Sequence, residues 1–412
     1  MLSSDHESSA QILPAGDHRR IAREMNLLRF DPDAPGQALW LPDGWFAFRA
    51  LENLIRGRVE RDGYEEVNSP QMMSQALWER SGHWEKYAEN MIMASHDESR
   101  SGADYAFKPM SCPGHIKAFS SEVRSWRDLP VRYAEFGRCV RYEPSGALQG
   151  LMRLRAFTQD DGHVFCAEAQ VQDEAAKFIR FVMKLYADLG FADVEVFFSD
   201  RPKKRIGSDA QWDAAEAALR GAAAAAGVPL SENPGEGAFY GPKLEFSLRD
   251  AKGRVWQCGT LQADFMMADR FGISYVNPKN VKVRPVILHR AALGSLERFI
   301  GILLENAGGR LPAWMMRNQA VILPVSVKHV DYARSVEDGL LSGGVRVKVD
   351  ARDDALPKKI RDARLARVPA VLVVGDEEQA AGSVAVKLGK EDQKVMPVSV
   401  ARRVLQDFCQ SP

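Results

Sequence analysis

The chemistry-bearing residues gather between residues 131 and 165, VRYAEFGRCVRYEPSGALQGLMRLRAFTQDDGHVF. Two runs there read as strands, AEFGRCVRYE and MRLRAFTQDDGHVF, joined through the turn-forming Pro144-Ser145-Gly146. Residues two apart share a strand face. Arg141 and Glu143 therefore point the same way on the first strand, and Phe157, Gln159, Asp161 and His163 form a row on the second. An amide, a carboxylate and an imidazole side by side on a half-buried strand cost free energy unless something pairs with them. A sheet lined for a ligand accounts for that row better than a core does. The later run VWQCGTLQADF repeats the pattern, with Cys258, Thr260 and Gln262 on one face.

Three further residues carry two readings each. Cys112 lies in FKPMSCPGH, between Ser111 and Pro113; a free cysteine is usually a small buried hydrophobe, whereas in a turn stiffened by Pro and Gly it suits a ligand or nucleophile. His83 sits in a Gly-His-Trp turn and reads as a packed or capping residue or as a functional imidazole. Arg298 follows Gly294-Ser295, where strand passes to helix; it is either solvated or, among Leu296, Phe299 and Ile300, turned inward toward an anion.

The elements that must position these residues read as follows. A helix is expected from His18 to Arg29, and a second, amphipathic one from Phe46 to Asp62 with Leu51, Leu54, Ile55 and Val59 on one stripe. YEEVNSPQMM reads as a short strand ended at Pro70, Gln170 to Leu189 as a helix, VEVFFS as a strand, and Gln211 to Ala226 as an alanine-rich structural helix. VRPVILHRAALGSLERFIGILLEN passes from strand to helix. Beyond residue 318 the pattern changes to AVILPV, VRVKVD, AVLVVG and SVAVKL with amphipathic helical segments between the first three and another after the fourth, a small α/β domain with a largely parallel sheet. Its KKIRDARLAR run is a solvated helix face or a phosphate-contacting one.

At 412 residues, two or three domains are expected. Boundaries fall at a disordered lead-in over 1–16, a domain over 17–306, a linker over 307–318 and a last domain over 319–412. Lys+Arg and Asp+Glu balance at 55 each, so a surface for nucleic acid has to be local. No apolar run approaches the ~20 residues that span a bilayer, and the start has no apolar signal region. The five scattered cysteines fit reduced thiols in a cytoplasmic protein.

The segments KPMSCPGH, FTQDDGH, GEGAFYGPK, WQCGT and ILHRAALGSLERFIGIL occur in order. So do a helix and strand ending at Pro70, the Arg141-x-Glu143 pair, and the strand-helix ending in Arg298. On these the chain resembles the threonyl-tRNA synthetase family of class II aminoacyl-tRNA synthetases, from Asp17 to about Cys409. The resemblance implies an α+β class II core built on an antiparallel sheet, followed by a small α/β anticodon-binding domain. It implies one Zn²⁺ per subunit on Cys112, His163 and His289, with zinc coordination left open for the amino and hydroxyl groups of threonine. Valine lacks the hydroxyl and is rejected by such a site. Asp161 corresponds to the residue that accepts the threonine hydroxyl's hydrogen bond, with Met110, Gln159, Tyr240 and Gln262 around the amino acid. For ATP with Mg²⁺ it places Arg141 on the α-phosphate, Glu143 on the adenine amino group, Phe157 and Arg298 on the two faces of the adenine, and Arg153 on the phosphates. Gln257 and Thr260 belong to the same nucleotide site. The threonine carboxylate then attacks the α-phosphate, and the acyl group passes to tRNA(Thr), with His83 assisting the proton transfer. A cytoplasmic homodimer is implied as well.

The chain departs from the family at Ser111, where Asn is usual, at Ala156, where Gly is usual, and at Lys387, an expected arginine in a loop that lacks the family's arginine-rich character. Full-length bacterial members have two N-terminal domains, one of which edits mischarged serine, and this chain begins at the core. Serine activation without correction in cis is therefore expected. Two other functions fit the same residues: a paralogue activating threonine or a related hydroxy amino acid for a non-tRNA acceptor, and a regulatory or resistance protein that keeps the fold.

Overall fold

The structure, a computed structural model, describes residues 13–94, 105–250 and 253–412. The lead-in expected over 1–16 lies outside the described residues as far as residue 12. The chain packs as two compact units: one of residues 31–37, 51–300 and 412, the other of residues up to 30, 38–50 and 301–411.

The first unit is built on an eight-stranded sheet. Its order from edge to edge is Ser231–Glu232, Val194–Ser199, Lys243–Arg249, Val255–Asp264, Val286–Ser295, Ala156–Cys166, Val131–Val140 and Glu65–Glu66. The five pairings from Val194–Ser199 through Val131–Val140 are antiparallel, and only the two short edge strands pair in parallel. The helix Val171–Asp188 buries Val171, Phe178, Ile179, Val182 and Leu185, which lie at helical spacing.

Register decides which residues meet. Tyr133 pairs with His163, His163 with His289, and His289 with Gln262. The next row joins Glu135, Asp161, Ala291 and Thr260. Rows two residues apart share a face, so the period seen along one strand continues across four.

The ladder breaks in two places, and both breaks shape the site. Opposite Phe246 and Ser247 the register slips by one residue, so Cys258 is an extra residue. Between Ala291 and Ser295 a second irregularity re-aims the chain into the helix Leu296–Asn306. Gly294 makes that bend at φ +72°, and a Cβ there would stand 2.7 Å from the carbonyl oxygen of Cys258.

Several expectations shift. The first helix ends at Glu24 rather than at Arg29, because Asn26 takes a left-handed backbone (φ 55°) and Leu28–Arg29 form a short strand. The second begins at Pro42, the helix-compatible N1 residue. The first strand of the central hairpin stops at Val140, yet Arg141 N still donates to Arg155 O at 2.7 Å. FKPMSCPGH is not a turn throughout: Cys112–Phe119 is a helix with Pro113 in its first turn. Gly114 on it is needed for close approach, since a Cβ would stand 2.5 Å from Cβ of Ser69.

In the second unit a five-stranded sheet runs Val347–Val349, Ala320–Pro324, Ala370–Val374, Ser383–Leu388, Lys394–Pro397. It is mixed rather than largely parallel: the first two pairings are parallel and the last two antiparallel. The connection from Val374 to Ser383 holds only the short helix Asp376–Ala381, too little chain for a parallel crossover, which takes about a dozen residues. The basic run lies on the helix Leu356–Leu365, where Lys359 is buried and donates to Pro324 O at 3.1 Å while Lys358 and Arg361 are exposed.

Candidate active site

Two neighbouring sets of side chains rise from the sheet. The first lines a cleft of about 620 Å³ and includes Arg141, Glu143, Arg153, Phe157, Gln159, Gln257, Thr260 and Arg298. Every residue expected at a nucleotide site is therefore in one cleft. Arg141 donates through Nε to Pro109 O at 3.0 Å, and its guanidinium lies 5.0 Å from the centre of the Phe157 ring. Arg298 donates through Nε to Met152 O at 3.0 Å, while its backbone N bonds Ser295 Oγ at 3.2 Å. Burial, together with the nearby Arg141 and Arg153 cations, pulls the Arg298 guanidinium below its ordinary pKa. Crowding three cations into one partly buried cleft is unfavourable unless an anion joins them. Glu143 and Arg153 pair with each other at 2.9 Å. Gln257 enters the cleft because of the extra residue at Cys258; strict alternation would put it on the face opposite Thr260. Its Nε2 donates to Glu245 Oε1 at 2.8 Å, and Glu245 also accepts from Ser199 Oγ at 2.8 Å.

The second set is Cys112, His163 and His289, all buried, whose donor atoms lie within 4.8 Å of one another. They come from the first turn of a helix and from two adjacent strands. His163 Nε2 is 2.9 Å from His289 Nδ1, which is 3.3 Å from Cys112 Sγ. A tetrahedral zinc ion with its usual bond lengths separates such donors by about 3.3–3.6 Å, close to these two separations. The donor set fits the ion. His289 Nε2 lies 3.0 Å from Asp264 Oδ2, and an ionised carboxylate only accepts, so Nε2 carries the hydrogen and Nδ1 presents its lone pair to the cluster. Burial, then the adjacent His115 and His289 rings, push His163 far below the ordinary imidazole range, which keeps it a neutral donor. Burial, then Asp161 and Asp264, push the Cys112 thiol up, so the metal-free sulfur holds its proton.

Around this cluster lie the residues expected at the amino acid. Tyr240 is buried, its hydroxyl donates to Gln262 Oε1 at 2.6 Å, and its ring centre is 5.3 Å from that of His289. Asp161 accepts from Ser111 N at 3.3 Å and from Gly162 N at 3.0 Å. Gln159 lies in the cleft, between the two sets. Met110 instead packs against the apolar cluster of Met73, Trp78, Met91 and Ala106. His83 is buried; its Nδ1 lies 2.7 Å from Ser81 Oγ, its Nε2 has no partner, and its ring is 6.4 Å from Tyr240. Burial, then His289 and Arg270, lower it to about 4.

Sequence reasoning did not single out His115, Glu135, Lys108 or Asp264. His115 follows Cys112 by three residues on one helix, which is the spacing of one helical face. That spacing was the available signal.

Residues 95–307 match the tRNA synthetase class II core domain (G, H, P, S and T), and residues 319–408 match the anticodon binding domain. The threonine–tRNA ligase of Cupriavidus pinatubonensis is 50% identical over 393 residues, which cover 95% of this chain and 61% of that protein. That of Dechloromonas aromatica is 50% identical over 392 residues, with the same two coverages. The chain thus spans about three-fifths of the length of these curated relatives. A crystal structure of the RNA binding domain of threonyl-tRNA synthetase from Cryptosporidium parvum Iowa II superposes with a TM-score of 0.91 at 38% identity, over 96% of this chain and 99% of that one.

Proposed function

Because this chain belongs to the class II tRNA synthetases of the glycine, histidine, proline, serine and threonine group, we propose that it is a threonine–tRNA ligase that forms threonyl-adenylate from MgATP. The observation that carries the reading is the pairing of two sites on one sheet: a cleft crowded with arginines beside a thiol and two imidazoles that converge. Arg141, Arg153 and Arg298 hold the triphosphate, Phe157 supplies an aromatic face to the adenine, and Glu143 leaves Arg153 to accept from the adenine amino group. Cys112, His163 and His289 hold zinc, which when bound supplies a Lewis-acidic position for an amino group and a hydroxyl. Asp161, fixed by Ser111 N and Gly162 N, accepts the hydroxyl's hydrogen bond. Tyr240, Gln262 and Gln159 close the pocket between that point and the cleft. Two substrates held side by side in this way turn the attack of carboxylate on the α-phosphate into a near-unimolecular step. His83 keeps a neutral Nε2 without a partner beside Tyr240, and we assign it the role of accepting a hydrogen bond from the ribose hydroxyl that receives the acyl group. The anticodon-binding match at 319–408 supports tRNA(Thr) as the partner of the second unit, and a cytoplasmic homodimer completes the reading. Among the described residues no helix is long and apolar enough to cross a membrane.

The test is transfer of labelled threonine to total tRNA by the zinc-loaded protein with MgATP. Charging with threonine and none with valine is expected. Failure to charge by protein that retains zinc would overturn the ligase assignment.

A further inference from the structure

We propose that His115 and Glu135 are positioning residues that lock His163 in the one ring tautomer able to bind zinc, and that the Lys and the final His of KPMSCPGH are present for this purpose. The inference rests on the zinc site of the proposed function and deepens it.

A buried chain of hydrogen bonds begins at Lys108 and Glu135. Glu135 is 4% exposed and Lys108 0%. Glu135 Oε1 accepts from Lys108 Nζ at 2.5 Å and from Ser69 N at 3.0 Å. Its Oε2 accepts from Ser69 Oγ at 2.7 Å and faces His115 Nε2 at 3.0 Å. An ionised carboxylate has no hydrogen to give, so His115 Nε2 must carry one. A ring with its hydrogen on Nε2, set toward a carboxylate that Lys108 Nζ also meets at 2.5 Å, presents Nδ1 as an acceptor. That bare nitrogen lies 2.8 Å from His163 Nδ1. The contact is a hydrogen bond only if His163 Nδ1 carries the hydrogen. His163 Nε2 is then bare, and it is the atom that faces His289 Nδ1, which itself lies 3.3 Å from the Cys112 sulfur.

Asp264 fixes His289 in the opposite ring sense. Its Oδ1 is taken by Met266 N and Met267 N, and its Oδ2 faces His289 Nε2. Two lone pairs thus stand 2.9 Å apart beside the Cys112 sulfur, an arrangement that favours a cation between them. A histidine ligand whose second nitrogen bonds a carboxylate directly is the ordinary arrangement. Here an extra imidazole is inserted between carboxylate and ligand, and the polarity survives because each ring donates from one nitrogen and accepts at the other. One turn of helix therefore carries both a ligand, Cys112, and the relay, His115.

The test uses the full chain in two measurements. In the metal-stripped protein labelled with ¹⁵N-histidine, the ring shifts of His163, assigned by loss in H163Q, report its tautomer. Zinc affinity is read by competition with a chromogenic chelator for the natural protein, H115F and H115Q. Phe fills the space without a polar atom; Gln restores an acceptor toward His163 and a donor toward Glu135. The expected results are His163 protonated on Nδ1, a zinc affinity about 10–100-fold weaker in H115F, and recovery of most of that loss in H115Q. His163 protonated on Nε2, H115F binding zinc as tightly as the natural protein, or H115Q as weak as H115F would each overturn the proposal. If the natural protein takes up no zinc, the zinc site of the proposed function fails, and the tautomer still decides for or against the relay. If H115F fails to fold, the natural protein's tautomer and H115Q decide it.

Discussion

Replacing Lys108 by Met should expose how much of the first unit's stability rests on one buried ion pair. The Lys108 ammonium is wholly buried, 2.5 Å from Glu135 and within hydrogen-bonding distance of Ser69 Oγ and Ser69 O. Met keeps the length of the stem and removes the charge, which leaves the Glu135 carboxylate in the interior without its ammonium partner. Breaking a buried pair by removing one partner costs about 3–5 kcal/mol. A second route gives the same scale. Burial alone would raise the Glu135 carboxyl, but hydrogen bonds from His115 and Lys108 outweigh it and hold it at about 2, against an ordinary 4.5. At roughly 1.4 kcal/mol per pKa unit that is about 3 kcal/mol. The sign follows from the depressed value: the stabilisation is complete above pH 4.5 and is lost as pH falls through about 2. Urea unfolding at pH 7 should therefore show K108M about 3–5 kcal/mol less stable. The deficit should shrink below pH 4.5, where the natural protein loses what the variant never had. The double variant K108M/E135Q carries no uncompensated charge and should recover part of the loss. A K108M protein within about 1 kcal/mol of the natural one, or a double variant worse than both single changes together, would refute the reasoning.

D264N is a near-isosteric change with a chemical consequence. Met266 N and Met267 N, at 2.7 and 2.9 Å, keep the amide oxygen on their side, so the new NH₂ faces His289 Nε2 and forces the hydrogen onto Nδ1; zinc affinity by chelator competition should fall about 10–100-fold with the fold intact. R298A removes a half-buried cation from the cleft, and threonine-dependent pyrophosphate exchange should drop about 10²–10³-fold in kcat without loss of zinc, measured on the same preparation.

What could be read along the chain was whatever depends on one strand or one helix at a time. The row Phe157, Gln159, Asp161, His163 followed from alternation, and it holds because Ala156–Cys166 is a regular strand paired on both sides. Period fails where the ladder gains a residue: Gln257 shares the cleft with Thr260 only through the irregularity at Cys258, which nothing in VWQCGT announces. Pro and Gly punctuation misled at Cys112, because proline ends a helix from within but is welcome in its first turn. The cluster of Cys112, His163 and His289 lay beyond any spacing rule. His163 and His289 are 126 residues apart, and Cys112 and His289 are 177 apart. They meet because antiparallel register places His289 directly beside His163 and because a helix start lands on the same face. The outer residues are harder still to read, since their meaning is direction rather than proximity. A lysine and a histidine seven residues apart acquire a role only when Glu135, from another strand, accepts from both and so sets which way every hydrogen in the chain must point. A motif whose flanking residues never touch the substrate is what such a relay leaves in a sequence.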